Sequence, residues 1–214
     1  MKVNFERSLK KKKQNALVNY LMEENVIDFI TRYISLTDGE IEIIKKQNLI
    51  KAFPKGTVLL KEGEFSKDCY FILKGCLRNY YLVDGEEKST EFYIENEAIT
   101  PVSYIAKQPS EYYISCLEDS VLVLGSEDRN RILIEQIPKL ESLVMQLNTN
   151  QLVQQQISFD TFKKLSPEMR YLHLLEKRPE LVNRVPLYHL ATYLGITSVS
   201  LSRMRNRIAK TRKG

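Results

Sequence analysis

The chain changes its hydrophobic period twice, and those two changes limit what it can fold into. Up to about residue 50, apolar residues recur every three or four positions, as in "VNYLMEENVIDFITRYI" and "LTDGEIEIIKKQN", with Thr37 placed as an N-cap. From Lys51 to Gly125 the pattern becomes short β-branched and aromatic runs: "GTVLLKEG", "DCYFILKG", "LRNYYLVD", "STEFYIEN", "EYYISCLED" and "SVLVLG". Turn residues separate these runs at the spacing of a β-sandwich or barrel, and Asp84-Gly85 suits a two-residue hairpin turn. After Ser126 the helical period returns through "KLESLVMQLNTNQLVQQQISF". In that segment Leu140, Val144, Leu147, Gln151 and Gln154 form a seam that is apolar first and polar later, and Pro138 stands where the first turn would begin. Two readings of this helix stay open: packing on its own β-domain, or pairing with a second copy.

The net charge of +5 conceals a polarity along the chain. Residues 1–25 carry six Lys/Arg against three Asp/Glu; residues 26–162 carry 14 against 21; residues 163–214 carry 12 against three. An acidic body with a basic end suggests that the end meets a polyanion. Three widely spaced cysteines, Cys69, Cys76 and Cys116, fit buried free thiols better than a disulfide framework or metal site. No apolar run approaches membrane-spanning length, and "MKVNFERSLKKKKQNALVNYL" lacks the apolar core of an export signal. A cytoplasmic protein is therefore expected. No nucleophile–base pair, metal-ligand set or phosphate-cradling loop is present, so an enzyme is not expected.

In "GTVLLKEGEFSKDCYFILKGCLR", Gly56, Leu59, Gly63, Tyr70, Ile72 and Gly75 fill a G-x-x-L-x-x-x-G…Y-x-I-x-x-G pattern. This resembles the cyclic-nucleotide-binding β-roll of the Crp/Fnr family of bacterial transcription regulators, and the resemblance extends over residues 35–214. Family members that bind a nucleotide hold its phosphate with a Gly-Glu pair and a following Arg-Ser or Arg-Thr pair. Here Ser110 and Glu111 stand where the Arg-Ser pair belongs, and Asn96-Glu97 only echoes the Gly-Glu pair. Glu111 beside a phosphate would be repulsive by about 4 kcal/mol at 4 Å and an effective dielectric of 20. Lys107 is the one nearby cation that could compensate. Cyclic AMP is thus not expected to bind in the family's manner. Glu97 and Tyr112 are weak candidates for an unidentified effector; Tyr93, Tyr104 and Tyr113 are further aromatic candidates, and all four tyrosines read more readily as packing than as ligand contacts. The family's cluster- and haem-bearing members use N-terminal cysteines or a dedicated His or Cys; residues 1–50 contain neither type. No cofactor or metal is expected.

Near the end, "LYHLATYLGITSVSLSRMRNRI" has the residue types of a helix-turn-helix. Ala191 is small where two helices approach, Gly195 sits at the turn, and Leu190, Leu194, Ile196, Leu201 and Met204 fill the apolar positions. Projected at 100° per residue, Leu201, Met204 and Ile208 form a buried stripe. Val199, Ser202, Arg203 and Asn206 point the other way. Thr197 or Ser198 can cap the first turn, whose free amides also suit a phosphate. Arg203 is the candidate for a guanine or phosphate contact, Ser198, Ser202 and Asn206 for base edges, and Val199 for a thymine methyl group. Arg205 and Arg207 are candidate backbone-phosphate contacts. The best-known family members carry Arg and Glu in place of Ser198 and Val199 but share Arg203, which implies a different operator. Many relatives continue into a β-hairpin wing, whereas here "AKTRKG" follows. His173 and His189 are read as helix-surface or packing residues, His189 with access to phosphate when protonated.

The expected architecture is α+β. Residues 1–34 form a helical extension, 35–136 the β-roll or double-stranded jelly roll, 137–162 a dimerisation helix, and 163–214 a small helix-turn-helix domain, with a hinge near 158–168. The expected function is a homodimeric regulator that reads a near-palindromic site in double-stranded DNA. RNA polymerase and a small-molecule effector are further candidate partners; no membrane is. The alternatives are a cyclic-nucleotide sensor with an altered pocket, and a scaffold whose basic end meets acidic protein or RNA.

Overall fold

A computed structural model describes residues 24–211. The basic N-terminal stretch read from the sequence lies outside them. A helix over residues 24–31 (α1) is followed by α2, Asp38–Lys46. Thr37 caps α2 reciprocally with Glu40, as its position suggested.

Eight strands follow: β1 Ile50–Phe53, β2 Val58–Leu60, β3 Cys69–Lys74, β4 Leu77–Val83, β5 Glu86–Tyr93, β6 Ala98–Ile99, β7 Tyr113–Cys116 and β8 Ser120–Gly125. A short helix, α3 (Val102–Ala106), interrupts them after β6. They make two antiparallel four-stranded sheets, in the orders β1-β8-β3-β6 and β2-β7-β4-β5. Inward residues from both sheets, among them Leu60, Ile72, Leu77, Ile114 and Leu122, form one apolar cluster. Asp84 and Gly85 both take positive φ between β4 and β5, as a type I′ hairpin requires. Gly75 has φ +113°, and a Cβ there would stand 2.2 Å from Ser120 Oγ and 2.8 Å from Ser120 Cα. Only glycine fits.

Helix α4 (Glu127–Gln136) and the start of α5 (Leu140–Lys164) pack on α1 and α2 through Ile27, Ile44, Leu133, Ile137, Leu140 and Leu143. Two details of α5 differ from the sequence reading. The helix begins at Leu140, so Pro138 lies just upstream of it and is not in its first turn. The most exposed apolar stripe also lies beside the seam read from the sequence: Met145, Leu152 and Phe159, seven residues apart, are 71%, 67% and 55% exposed. On the seam, Leu140 is buried with Leu143 against the N-terminal helices, Leu147 packs there too and Val144 is 38% exposed. The exposed stripe is thus rotated from the one expected.

The chain breaks at Leu165, whose backbone is extended; Ser166 caps the next helix and Pro167 occupies its first turn. The remaining helices are α6 (Pro167–Lys177), α7 (Pro179–Arg184), α8 (Leu187–Tyr193) and α9 (Ser198–Thr211). Cys69, Cys76 and Cys116 are free thiols, two of them buried. Among the described residues no helix is long and apolar enough to cross a membrane.

Candidate nucleic-acid interface

Helix α8 ends in a Schellman motif. Gly195 takes φ +73°, its amide donates to Thr192 O, and the Ile196 amide donates to Ala191 O. A Cβ on Gly195 would also press on Arg170 Nη1 and the Phe162 ring at 3.3–3.5 Å. The turn sets α9 across α8 over a core of Leu190, Ala191, Leu194, Leu201 and Met204, with Ile196 and Ile208 packed against it. Thr197 Oγ1 accepts the Ser200 amide 3.2 Å away, so Thr197 is the cap and Ser198 is not.

The outer face of α9 carries the expected residues. Val199 is 59% exposed; Arg203, Arg205, Asn206 and Arg207 are exposed, as is Thr197 before the helix; Ser198 and Ser202 are half-buried. Val199, Ser202, Arg203 and Asn206 lie within about 100° of arc, opposite Leu201, Met204 and Ile208. No acidic residue occurs in α9. Arg207 is the exception within the set: its guanidinium pairs with Glu168 of α6, so it flanks the face already engaged.

One expectation is overturned. His189 is 4% exposed, and its Nδ1 faces Arg78 Nη1 of β4, so its ring has no access to a phosphate. Burial and the adjoining guanidinium lower its pKa to about 4, with Glu87 opposing. The ring is therefore neutral and Nδ1 is the acceptor.

That contact belongs to a larger junction which the sequence did not disclose. The helical domain is docked on its own β-roll: Phe92, Cys76 and Leu117 share one apolar cluster with Tyr171, Leu174, Leu181, Leu190 and Leu201. The Ser89 amide donates to Thr192 Oγ1 (3.1 Å), and Phe92 packs on the Tyr193 ring. Arg184 grips two roll carboxylates: Glu95 at 2.7 and 2.9 Å, and Glu118 at 2.8 and 3.0 Å. Burial opposes ionisation of Glu95, but Arg184 and the Gly75 amide overcome it and hold the carboxyl below its usual range. Arg178 grips Glu97 with two contacts of 2.9 Å and reaches Glu91 at 3.5 Å. Part of the chain's charge polarity is therefore neutralised internally. The available signal was the facing of "EFYIENEAI" and "CLED" by "KRPELVNR", but sequence periodicity does not pair distant charges.

The candidate effector residues are all engaged. Glu97 holds Arg178 and accepts the Ile94 amide. The Tyr112 hydroxyl accepts the Val102 amide. Tyr93 is buried beside Asn79, Tyr113 stacks on Tyr80, and Tyr104 lies under Lys107, which itself pairs with Glu127. Ser110 is buried, with its hydroxyl on Tyr112 O and its backbone bonded to Gly63 and Glu64; Glu111 is exposed.

The cyclic nucleotide-binding domain family matches residues 50–136. Among solved structures, FixK2 from Bradyrhizobium japonicum superposes with a TM-score of 0.63 at 15% identity, over 76% of this chain and 84% of that one. The regulator CLP of Xanthomonas campestris gives 0.61 at 17% identity, over 82% and 93%. The chain has the fold of the Crp/Fnr regulators. CooA from Carboxydothermus hydrogenoformans, in a mutant form, gives 0.58 at 12% identity over 76% of each chain. No curated protein matches at the level of sequence. The two antiparallel sheets and the C-terminal helices agree with the α+β architecture read from the sequence.

Proposed function

We propose that the protein is a cytoplasmic, homodimeric transcription regulator that reads double-stranded DNA with α9. The observation that carries this reading is the two-sidedness of α9: Leu201, Met204 and Ile208 are turned inward, while Val199, Ser202, Arg203 and Asn206 face outward without an acid among them. Arg203 is suited to the O6 and N7 acceptors of guanine, Asn206 and Ser202 to base edges, and Val199 to a thymine methyl group. The capped first turn at Thr197 and Ser198 presents amides to a backbone phosphate. Arg205 adds phosphate neutralisation, and Arg207 does so if it leaves Glu168.

A second copy pairs along α5 through Met145, Leu152 and Phe159, since a heptad-spaced apolar stripe in water calls for a partner. Two readers then enter successive major grooves about 34 Å apart and select a near-palindromic site. RNA polymerase and an unidentified effector complete the expected partners. Cyclic AMP in the family's usual pose is not among them: in the sequence Ser110 and Glu111 stand where the family's Arg-Ser pair belongs, and Lys107 is drawn to Glu127. Genomic DNA captured by the purified protein and sequenced tests the reading. An enriched two-fold motif supports it; enrichment without symmetry removes the dimer, and no enrichment removes DNA reading. Micromolar cyclic AMP binding by calorimetry would restore the nucleotide-sensor alternative.

A further inference from the structure

Arg178 sits at the junction of α6 and α7 with one positive charge and two carboxylates. Glu97 takes both of its close contacts, at 2.9 Å, and Glu91 is left at 3.5 Å. Glu91 lies on β5, and its side chain is 16% exposed at the seam between the docked domains. Ser158 of α5 faces it with a hydroxyl, Tyr193 of α8 and Tyr93 of its own strand with phenols, and Asn79 stands opposite on β4. Beyond Glu97 lies a further acid, Glu180 of α7. Arg178 is the one cation that faces Glu91 among these groups. The phenols are pushed up by burial, so they remain neutral. A carboxylate in this site has only the Phe92 amide, 3.1 Å from Oε1, and a 3.5 Å share of a guanidinium that Glu97 holds more closely, whereas a carboxylic acid needs no such compensation.

We propose that Glu91 is a proton-binding switch at the seam between β-roll and reader, keeping the two domains docked when neutral and releasing them when ionised. Burial pushes its carboxyl up to about 7 despite Arg178, against 4.5 for the open group. The docked state thus binds the proton more tightly than the open one. Docking is fully supported at acidic pH and loses that support as pH rises through about 7. Glu97 is raised as well, by burial offset in part by Arg178, so the two acids titrate as a coupled pair. The shared proton rests on Glu91 because Glu97 owns the close guanidinium contacts. The helical domain turns with α9 when it opens, so proton uptake fixes the angle between reader and α5. The switch does not depend on what α9 reads, and its failure would leave the DNA reading intact.

The test is amide hydrogen exchange on the full chain between pH 5.5 and 8.5, corrected for the intrinsic pH dependence of exchange. The reporter is Ser89, whose amide bonds Thr192 across the seam. In the unaltered protein, protection should fall at least tenfold across this range. In Glu91→Gln it should stay high and flat, and in Glu97→Gln a pH step should persist. A flat unaltered protein, a retained step in Glu91→Gln, or a step abolished only in Glu97→Gln overturns the assignment. If Glu91→Gln does not fold, carbon-13 detection of glutamate carboxyls in the unaltered protein decides. An inflection near pH 7 in a carboxyl whose neighbours are β5 protons supports the switch; inflections all below 5.5 remove it.

Discussion

Replacing Arg184 by alanine removes the cation from the tightest interdomain contact. Four donor–acceptor distances between 2.7 and 3.0 Å join its guanidinium to Glu95 and Glu118, and the variant leaves those carboxylates facing each other. Breaking a fully buried pair costs about 3–5 kcal/mol, but all three side chains keep a quarter to a third of their surface in water. Solvent screening reduces the expected loss to about 2 kcal/mol, roughly a thirtyfold shift of the docking equilibrium toward the open form. The Gly75 amide still restrains Glu95, so the roll itself should stay folded. Limited proteolysis at the 164–166 break reads the equilibrium directly: cleavage should accelerate by about thirtyfold while the sheet's circular dichroism is unchanged. A double variant with Glu118→Gln should recover part of the protection by removing the repulsion. Cleavage rates within twofold of the unaltered protein would show that the apolar cluster, not the arginine, holds the domains together.

Gly75→Ala should destabilise the roll by roughly 3 kcal/mol, seen in urea denaturation, because its Cβ meets Ser120 backbone and φ is positive. Leu152→Glu should convert a dimer to monomers by analytical ultracentrifugation and leave the circular dichroism of the single chain unchanged, since Leu152 is two-thirds exposed there; an unchanged dimer places the contact elsewhere. His189, held near 4 by burial and by Arg78, binds its proton more weakly when folded than at its ordinary 6.5. Its contribution, roughly 1–2 kcal/mol, should be present above pH 6.5 and lost as pH falls toward 4, with the slope reduced in His189→Gln.

The elements with a clear pattern were readable from the sequence: β3 and β8 alternate, β4, β5 and β7 are aromatic and β-branched runs bounded by turn residues, and α9 separates its two faces cleanly. The missed strands, β1 and β6, are short edge strands of four and two residues, too brief to show a period. Helix α7 has six residues, begins on Pro179 and ends two residues before Pro186, and was absent from the reading. On α5 the period was seen but the partner was not. Leu140 and Leu143 were absorbed by α1, α2 and α4, which rotated the exposed stripe to Met145, Leu152 and Phe159. The interdomain junction was illegible for a related reason: Arg184 and Glu95 are 89 residues apart, and only the docked fold brings them into contact. His189 was readable as a packing residue, but its loss of access to phosphate was hidden by the same gap, since its burial depends on Arg78 from a different domain.

The claim that α9 reads bases through its outer face is tested most directly by Arg203→Ala in DNA-binding titrations at fixed salt. Binding to the palindrome recovered from genomic capture should weaken by about 1–3 kcal/mol, and preference at one base position in each half-site should relax, while affinity for random duplex falls by no more than one phosphate contact's worth. Equal losses on palindrome and random duplex, or no loss on either, would contradict base reading by this helix.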